Sequence, residues 1–117
     1  MDLQQLWVEP VGSIIIARLR GVPTAAMLQD CQSRVVTLIK DMQHGKVLYD
    51  CLEMDTPSID LVLMQQKFEA DLNPLRIRKA IVVPNTKIAY LSRIAFGEGV
   101  HRVFYNDMAA AIKWLEE

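Results

Sequence analysis

Residues 46–58 read KVLYDCLEMDTPS, and this run decides the fold. Val47, Leu48 and Tyr49 are bulky apolar residues in succession, the pattern of a strand buried on both faces. The run then carries Asp50 and an acidic turn from Glu53 to Asp55. Thr56 followed by Pro57 reads as a helix N-cap and the first helical residue. A strand delivered straight into a helix start belongs to alternating α/β folds, which place functional groups at that junction.

Upstream, Thr24 opens a long helix whose apolar residues Leu28, Cys31, Val35, Leu38, Ile39 and Met42 recur at helical spacing. Gly45 stands where a C-terminal glycine would end it. Before that helix, residues 13–19 (SIIIARL) form a strand, and Arg18 and Arg20 leave it on one face by alternation. Residues 3–8 (LQQLWV) form a first strand, with Pro10 and Gly12 in the turn of an antiparallel hairpin.

Downstream, the second helix runs to about Leu72, and Asn73-Pro74 breaks it. Residues 77–83 (IRKAIVV) give a buried strand. Asn85 or Thr86 caps a third helix over 87–96, with Ile88, Leu91 and Ala95 on its stripe. HRVFY at 101–105 is the last strand. Asn106 or Asp107 then caps a closing helix with Met108, Ala111, Ile112 and Leu115 inward and Trp114 beside them. The order β-β-α-β-α-β-α-β-α predicts an α/β fold: a single mixed, mainly parallel five-stranded sheet flanked by helices. Residues 1–117 are expected to make one domain, a size that buries an adequate core without staples.

Thirteen basic and fourteen acidic side chains leave a formal charge of −1, so no whole-molecule field draws the chain to nucleic acid. No run approaches the ~18 apolar residues of a membrane span, and the first residues lack a basic, then apolar leader. The expected location is cytoplasmic. Cys31 and Cys51 have apolar neighbours and read as buried thiols. There is no CxxC, and His44 and His101 lie far from either cysteine in sequence, so no metal or cofactor is expected. GxGxxG, GxxxxGK[ST] and GxSxG are absent. The chain reads as non-enzymatic, with no catalytic residues.

Right-handed crossovers gather the strand C-terminal ends on one rim. That rim holds Arg18, Arg20, Asp50, Asp55, Thr56, Ser58, Asn85 and Thr86, a candidate surface for an anion or a partner, since helix starts offer free N–H groups. The plainer reading is structural: an arginine pairs with Asp50 or Asp55, and Thr56 only caps. In the second helix one face uses Leu61, Met64, Phe68 and Leu72. Ile59, Val62 and Leu63 are then left over as a subunit contact or a ligand wall, which predicts a homo-oligomer. Arg76, Arg78 and Lys79 open the fourth strand beside Lys46 and Arg102. They read as a solvated rim balanced by Glu69 and Asp71.

Four segments carry a family resemblance: Lys46-Val47-Leu48-Tyr49-Asp50, Ala80-Ile81-Val82-Val83, Val103-Phe104, and the closing Ala109-Ala110-Ala111-Ile112-Lys113-Trp114-Leu115. With the order of elements, they make the chain resemble the SpoIIAA-like family of the STAS superfamily, a relative of CRAL-TRIO lipid-binding domains. The resemblance implies a non-catalytic protein-interaction or regulatory module of STAS type with a protein partner. In that family's anti-sigma-factor antagonists a serine at the helix start after the third strand is phosphorylated. The matching region here is Asp55-Thr56-Pro57-Ser58, which makes Thr56 or Ser58 the candidate phospho-acceptor. It differs from the family's Asp-Ser-Ser-Gly pattern in lacking the glycine, in Pro57 and in its shorter spacing from Asp50. The lipid-binding relatives imply an alternative: a carrier or sensor of a small apolar or anionic ligand, or a lipid, with Ile59, Val62 and Leu63 as its wall.

Overall fold

A computed structural model describes residues 5–43, 45–97 and 100–117. Five strands, β1 (Leu6–Val11), β2 (Ile14–Gly21), β3 (Lys46–Met54), β4 (Arg78–Val83) and β5 (His101–Tyr105), form one sheet in the order β1-β2-β3-β4-β5. β1 pairs antiparallel with β2, and the other pairs are parallel. The helices are α1 (Ala25–Met42), α2 (Ile59–Leu72), α3 (Thr86–Phe96) and α4 (Met108–Glu116), with a 3-10 turn at Asn73–Leu75. This is the α/β architecture expected from the sequence.

The strand order never reverses. Right-handed crossovers that always step the same way put every crossover helix on one face. Side-chain alternation agrees: Ile15, Ala17, Val47, Tyr49 and Ile81 belong to the large core under α1, α2 and α3. Their neighbours Ile14, Leu48, Ala80 and Val82 belong to a smaller core with Ala111 and Leu115 of α4. A doubly wound sheet has a crevice where its strand order turns back. This sheet has none, so room for a ligand must come from between helices and sheet.

Several boundaries differ from the sequence reading. The first strand lies at Leu6–Val11, not 3–8, and includes Pro10. Pro10 is tolerated because β1 is an edge, and the turn narrows to Gly12-Ser13 with Gly12 at φ 62°. Residues 3 and 4 of the expected strand lie outside the described residues, as do His44, Glu98 and Gly99. β3 does not turn at Glu53 but continues to Met54, because a bulge places an extra residue of β3 opposite β2 between Arg18 and Arg20. α1 ends on Gln43, whose φ is 60° and whose N–H donates to the Ile39 carbonyl at 2.9 Å. Gly45 is not the cap; a Cβ there would stand 2.9 Å from Ile77 Cγ1, so the glycine admits Ile77 to the core.

α1 starts as the sequence indicates. Thr24 is extended, and its Oγ1 accepts from Met27 N–H at 3.1 Å. Thr24→Ala should lower stability by about 1 kcal/mol, read as a lower urea midpoint at unchanged slope.

The basic start of β4 is not a solvated rim. Lys79 is 1 % exposed and Glu69 of α2 is 2 % exposed, and Lys79 Nζ lies 2.5 Å from Glu69 Oε1. Gln65 Nε2 donates to the other carboxylate oxygen, Oε2, at 2.5 Å. Strand alternation sends Lys79 to the three-helix face, while Arg78 points to the α4 face. There the Arg78 guanidinium covers the Trp114 ring at 4.1 Å from its centroid.

Candidate functional site: a paired rim above an apolar cavity

The sheet divides the candidate rim residues between its two faces. Arg18 and Asp50 project on the α4 side, where Arg18 Nε donates to Asp50 Oδ2 at 3.0 Å. Asp50 Oδ1 accepts from Leu52 N–H at 3.2 Å, and the Arg18 guanidinium lies 5.2 Å from the Trp7 ring centroid. Arg18 thus ties three adjacent strands together, β1, β2 and β3. The sequence reading has Arg18 or Arg20 meet Asp50, Asp55 or an anion, and the Arg18–Asp50 bridge is that contact. Arg20 pairs with Glu53, brought opposite by the bulge in β3. The hydrogen bond from Arg20, then its charge, hold the Glu53 carboxyl below the usual carboxylate range. This pair is exposed and therefore weakened by salt.

The remaining rim residues line the three-helix side. Thr56 is not a cap, since α2 begins at Ile59. Ser58 takes that part: its Oγ accepts from Leu61 N–H at 3.3 Å and its carbonyl from Val62 N–H at 3.1 Å. Pro57 therefore precedes the helix rather than starting it. Asp55 N–H donates to the Gly21 carbonyl at 2.9 Å, which fastens the loop 55–58 to the end of β2. Thr56 and Ser58 are exposed on that loop. Asn85 caps α3 by accepting from Ile88 N–H at 2.9 Å, and Thr86 is the first helical residue. The rim accordingly holds one arginine–aspartate bridge, one exposed ion pair and three capped helix starts, not one convergent cluster.

The set Ile59, Val62 and Leu63 also separates. Val62 is 3 % exposed and packs in the core, whereas Ile59 and Leu63 are 60 % and 46 % exposed. Val62 is one residue, about 100° of helix rotation, from Leu61 of the stripe read in the sequence, and it shares the buried face of α2 with Glu69 and Leu72. Leu61, Met64 and Phe68 are left half-buried.

Below the loop 55–58 is a cavity of about 60 Å³ between the sheet and α1, α2 and α3. Cys31, Tyr49, Cys51, Leu91 and Phe96 form its deep wall, and Met54, Pro57 and Leu61, all partly exposed, stand at its outer end. The Tyr49 and Phe96 rings meet at 5.0 Å and 54°. Burial pushes the Cys31 thiol up to about 12, and raises Cys51 and the Tyr49 phenol well above their ordinary ranges. Both thiols are free and buried and stay protonated at neutral pH, so neither is an activated nucleophile. Of the ligand wall expected from the sequence, Ile59, Val62 and Leu63, only Val62 lines this cavity. Both cysteines and Leu91 were read as core, and no periodicity marks where packing leaves a gap.

Among the described residues no three His, Cys, Asp or Glu side chains gather as metal ligands do. No described helix is long and apolar enough to cross a membrane.

The fold can now be compared with known ones. A DUF3478-family protein from Shewanella loihica PV-4, described as having a SpoIIAA-like fold, superposes with a TM-score of 0.68 at 18% identity, over 94% of this chain and 91% of that one. The chain has a SpoIIAA-like fold. The anti-sigma factor antagonist SpoIIAA in its unphosphorylated form superposes with a TM-score of 0.67 at 15% identity, covering 95% of this chain and 97% of that one. No family model matches the sequence, and no curated protein does. The SpoIIAA-like fold rests on the sheet order and the helix placement, which survive at identities where side chains do not.

Proposed function

We propose that this protein is a non-catalytic interaction module of STAS type, working through the surface where β3 meets α2. The observation that carries this reading is the pair Ile59 and Leu63, large apolar side chains exposed on the first turns of α2 directly after the Thr56–Ser58 loop. Isolated exposed apolar residues are ordinary, but these are one helical turn apart and share a face. Tyr90 of α3, the helix packed beside α2, is 64 % exposed. A fold shared with an anti-sigma factor antagonist supports a regulatory use. Arg18, Asp50, Arg20, Ser58 and Asn85 of the rim are engaged in ion pairs and caps, which suits binding better than proton transfer.

The same apolar face is the proposed self-association surface. The wild-type chain should show a mass above the 13.3 kDa of one copy in light scattering at micromolar concentration. The Ile59→Asp, Leu63→Asp variant should return to one copy with its melting temperature unchanged, because neither side chain belongs to the core. A wild-type monomer at every accessible concentration removes the self-association reading. Thr56 and Ser58 are the proposed phospho-acceptors. A phosphate on Ser58 would meet the start of α2, where the helix dipole favours negative charge. Mass spectrometry of the protein from its own cell reads phosphate and subunit count together, and an unmodified loop under all growth conditions counts against the switch.

A further inference from the structure

We infer that the outer edge of β5 is a docking site for an extended, acidic and apolar peptide segment of another protein, which adds to the sheet as a further strand. This surface is separate from the β3–α2 junction, and the inference does not depend on that reading. β5 ends the sheet, with β4 on one side and, among the described residues, no strand on the other. The ladder fixes which backbone groups face outward. Lys79 N–H donates to the Val100 carbonyl at 3.0 Å, and Asn106 N–H donates to the Val83 carbonyl at 2.9 Å. In a parallel ladder a residue that bonds sideways serves two residues of the neighbouring strand, two positions apart. Arg102 and Phe104 therefore turn their N–H and C=O groups toward β4. Val103 and Tyr105 turn theirs away, a row of donors and acceptors that a further strand can use.

Sheet edges are ordinarily blunted by proline, by bulges or by charge. The β1 edge follows that rule, since Pro10 has no N–H and Glu9 stands beside it. β5 has neither proline nor bulge, and its register with β4 runs unbroken from Lys79–His101 to Val83–Tyr105. Its fixed charge, Arg102, discourages basic strands and attracts acidic ones. On the three-helix face Val103 is half-buried and Tyr105 is exposed, its hydroxyl accepting from Arg93 Nη2 at 3.3 Å. On the α4 face the Phe104 and Trp114 rings lie 6.1 Å apart, and the Arg102 guanidinium is 5.4 Å from the Phe104 centroid. Arg93 and Arg102 thus flank the edge, one on each face, and among the described residues no carboxylate pairs with either. An incoming strand meets apolar surface at Val103 and Phe104, and a cation toward each end. A second copy of β5 would bring its own two arginines to the same strip, where like charges repel. The occupant is therefore an acidic segment rather than another copy of this chain.

The test titrates the full chain with the blocked peptides SELVETS, SKLVKTS and SELPETS, followed by amide shifts and hydrogen exchange in NMR. Laid antiparallel, SELVETS sets its valine against Val103, its leucine against Phe104, and its glutamates against Arg102 and Tyr105. It should give saturable shifts at the Val103 and Tyr105 amides and slow their exchange. Arg102 and Phe104, already held by β4, should change little in exchange, and Leu63 should not shift. SKLVKTS reverses the charge and SELPETS removes the central N–H, so each should bind at least about tenfold more weakly. Arg102→Glu alters an exposed side chain outside both cores; it should weaken SELVETS about tenfold and strengthen SKLVKTS. The Ile59→Asp, Leu63→Asp variant should bind SELVETS as the wild type does, which separates this surface from the one on α2. The inference is overturned by any of three results: no saturable shift at Val103 and Tyr105 up to the solubility of SELVETS, equal binding of SELVETS and either control peptide, or shifts centred on Leu63.

Discussion

Lys79→Met should lower stability by about 3–5 kcal/mol near neutral pH, the range for removing one partner of a buried ion pair. The loss comes less from the missing attraction than from what remains, a Glu69 carboxylate sealed between α2 and the sheet. Burial already raises the Glu69 carboxyl above its ordinary 4.5, against the pull of Lys79, Gln65 and His101. Removing the ammonium raises it further. A group whose folded-state pKa is raised adds stability below its unfolded value, and that stability is lost as pH rises through the folded value. The penalty of Lys79→Met should therefore be smallest near pH 4.5 and grow toward pH 8. Urea melts across that range measure it, and a pH-independent loss would contradict the buried-charge account. Converting both partners, Glu69→Leu with Lys79→Met, should recover most of the loss, because an apolar pair of similar volume needs no desolvation.

Leu115→Ala should cost about 2–5 kcal/mol, the range for truncating a buried leucine. Leu115 is fully buried against Leu48, Ala80 and Val82, and α4 is the helix that covers that face. Ala111 and Leu115 are the two α4 residues fully buried there, and Met108, Ile112 and Trp114 pack around them half-buried. The effect should be local first. Amide exchange in α4 and along the α4-facing side of β4 should accelerate, while α1 stays protected. An equal volume removed from the three-helix face, as in Ile39→Ala, comes out of the larger core. It should lower global stability without selectively releasing α4. Loss of protection spread evenly over all four helices after Leu115→Ala would contradict the separate status of the second core.

The contrast between these two sites shows where sequence reading succeeds. Leu115 was legible: Met108, Ala111, Ile112 and Leu115 repeat at helical spacing after a capping aspartate, and the repeat names the inner face. Glu69 and Lys79 were not. Each has the composition of a surface residue, and their meeting depends on α2 crossing β4 at one roll angle. Arg18 with Asp50 lay between these cases. Strand alternation put both on one rim, and the parallel register then placed them directly opposite. The pairing of Arg20 with Glu53 was not legible, because a bulge changes pairing without changing composition.

The apolar run at Val47-Leu48-Tyr49, the alternation of strands with capped helices and the helical stripes on α1 and α4 determined the α/β fold by themselves. They are local signals, written in periods of two and 3.6 that neighbouring residues enforce. Tertiary structure alone decided three things: that Ser58 rather than Thr56 caps α2, that an acid and a base share the interior, and that a cavity opens beneath the loop 55–58. Each depends on how far helices stand from the sheet and how they are rolled on it. Those distances are set by the sum of packing contacts across elements distant in sequence, which no stretch of residues 46–58 contains.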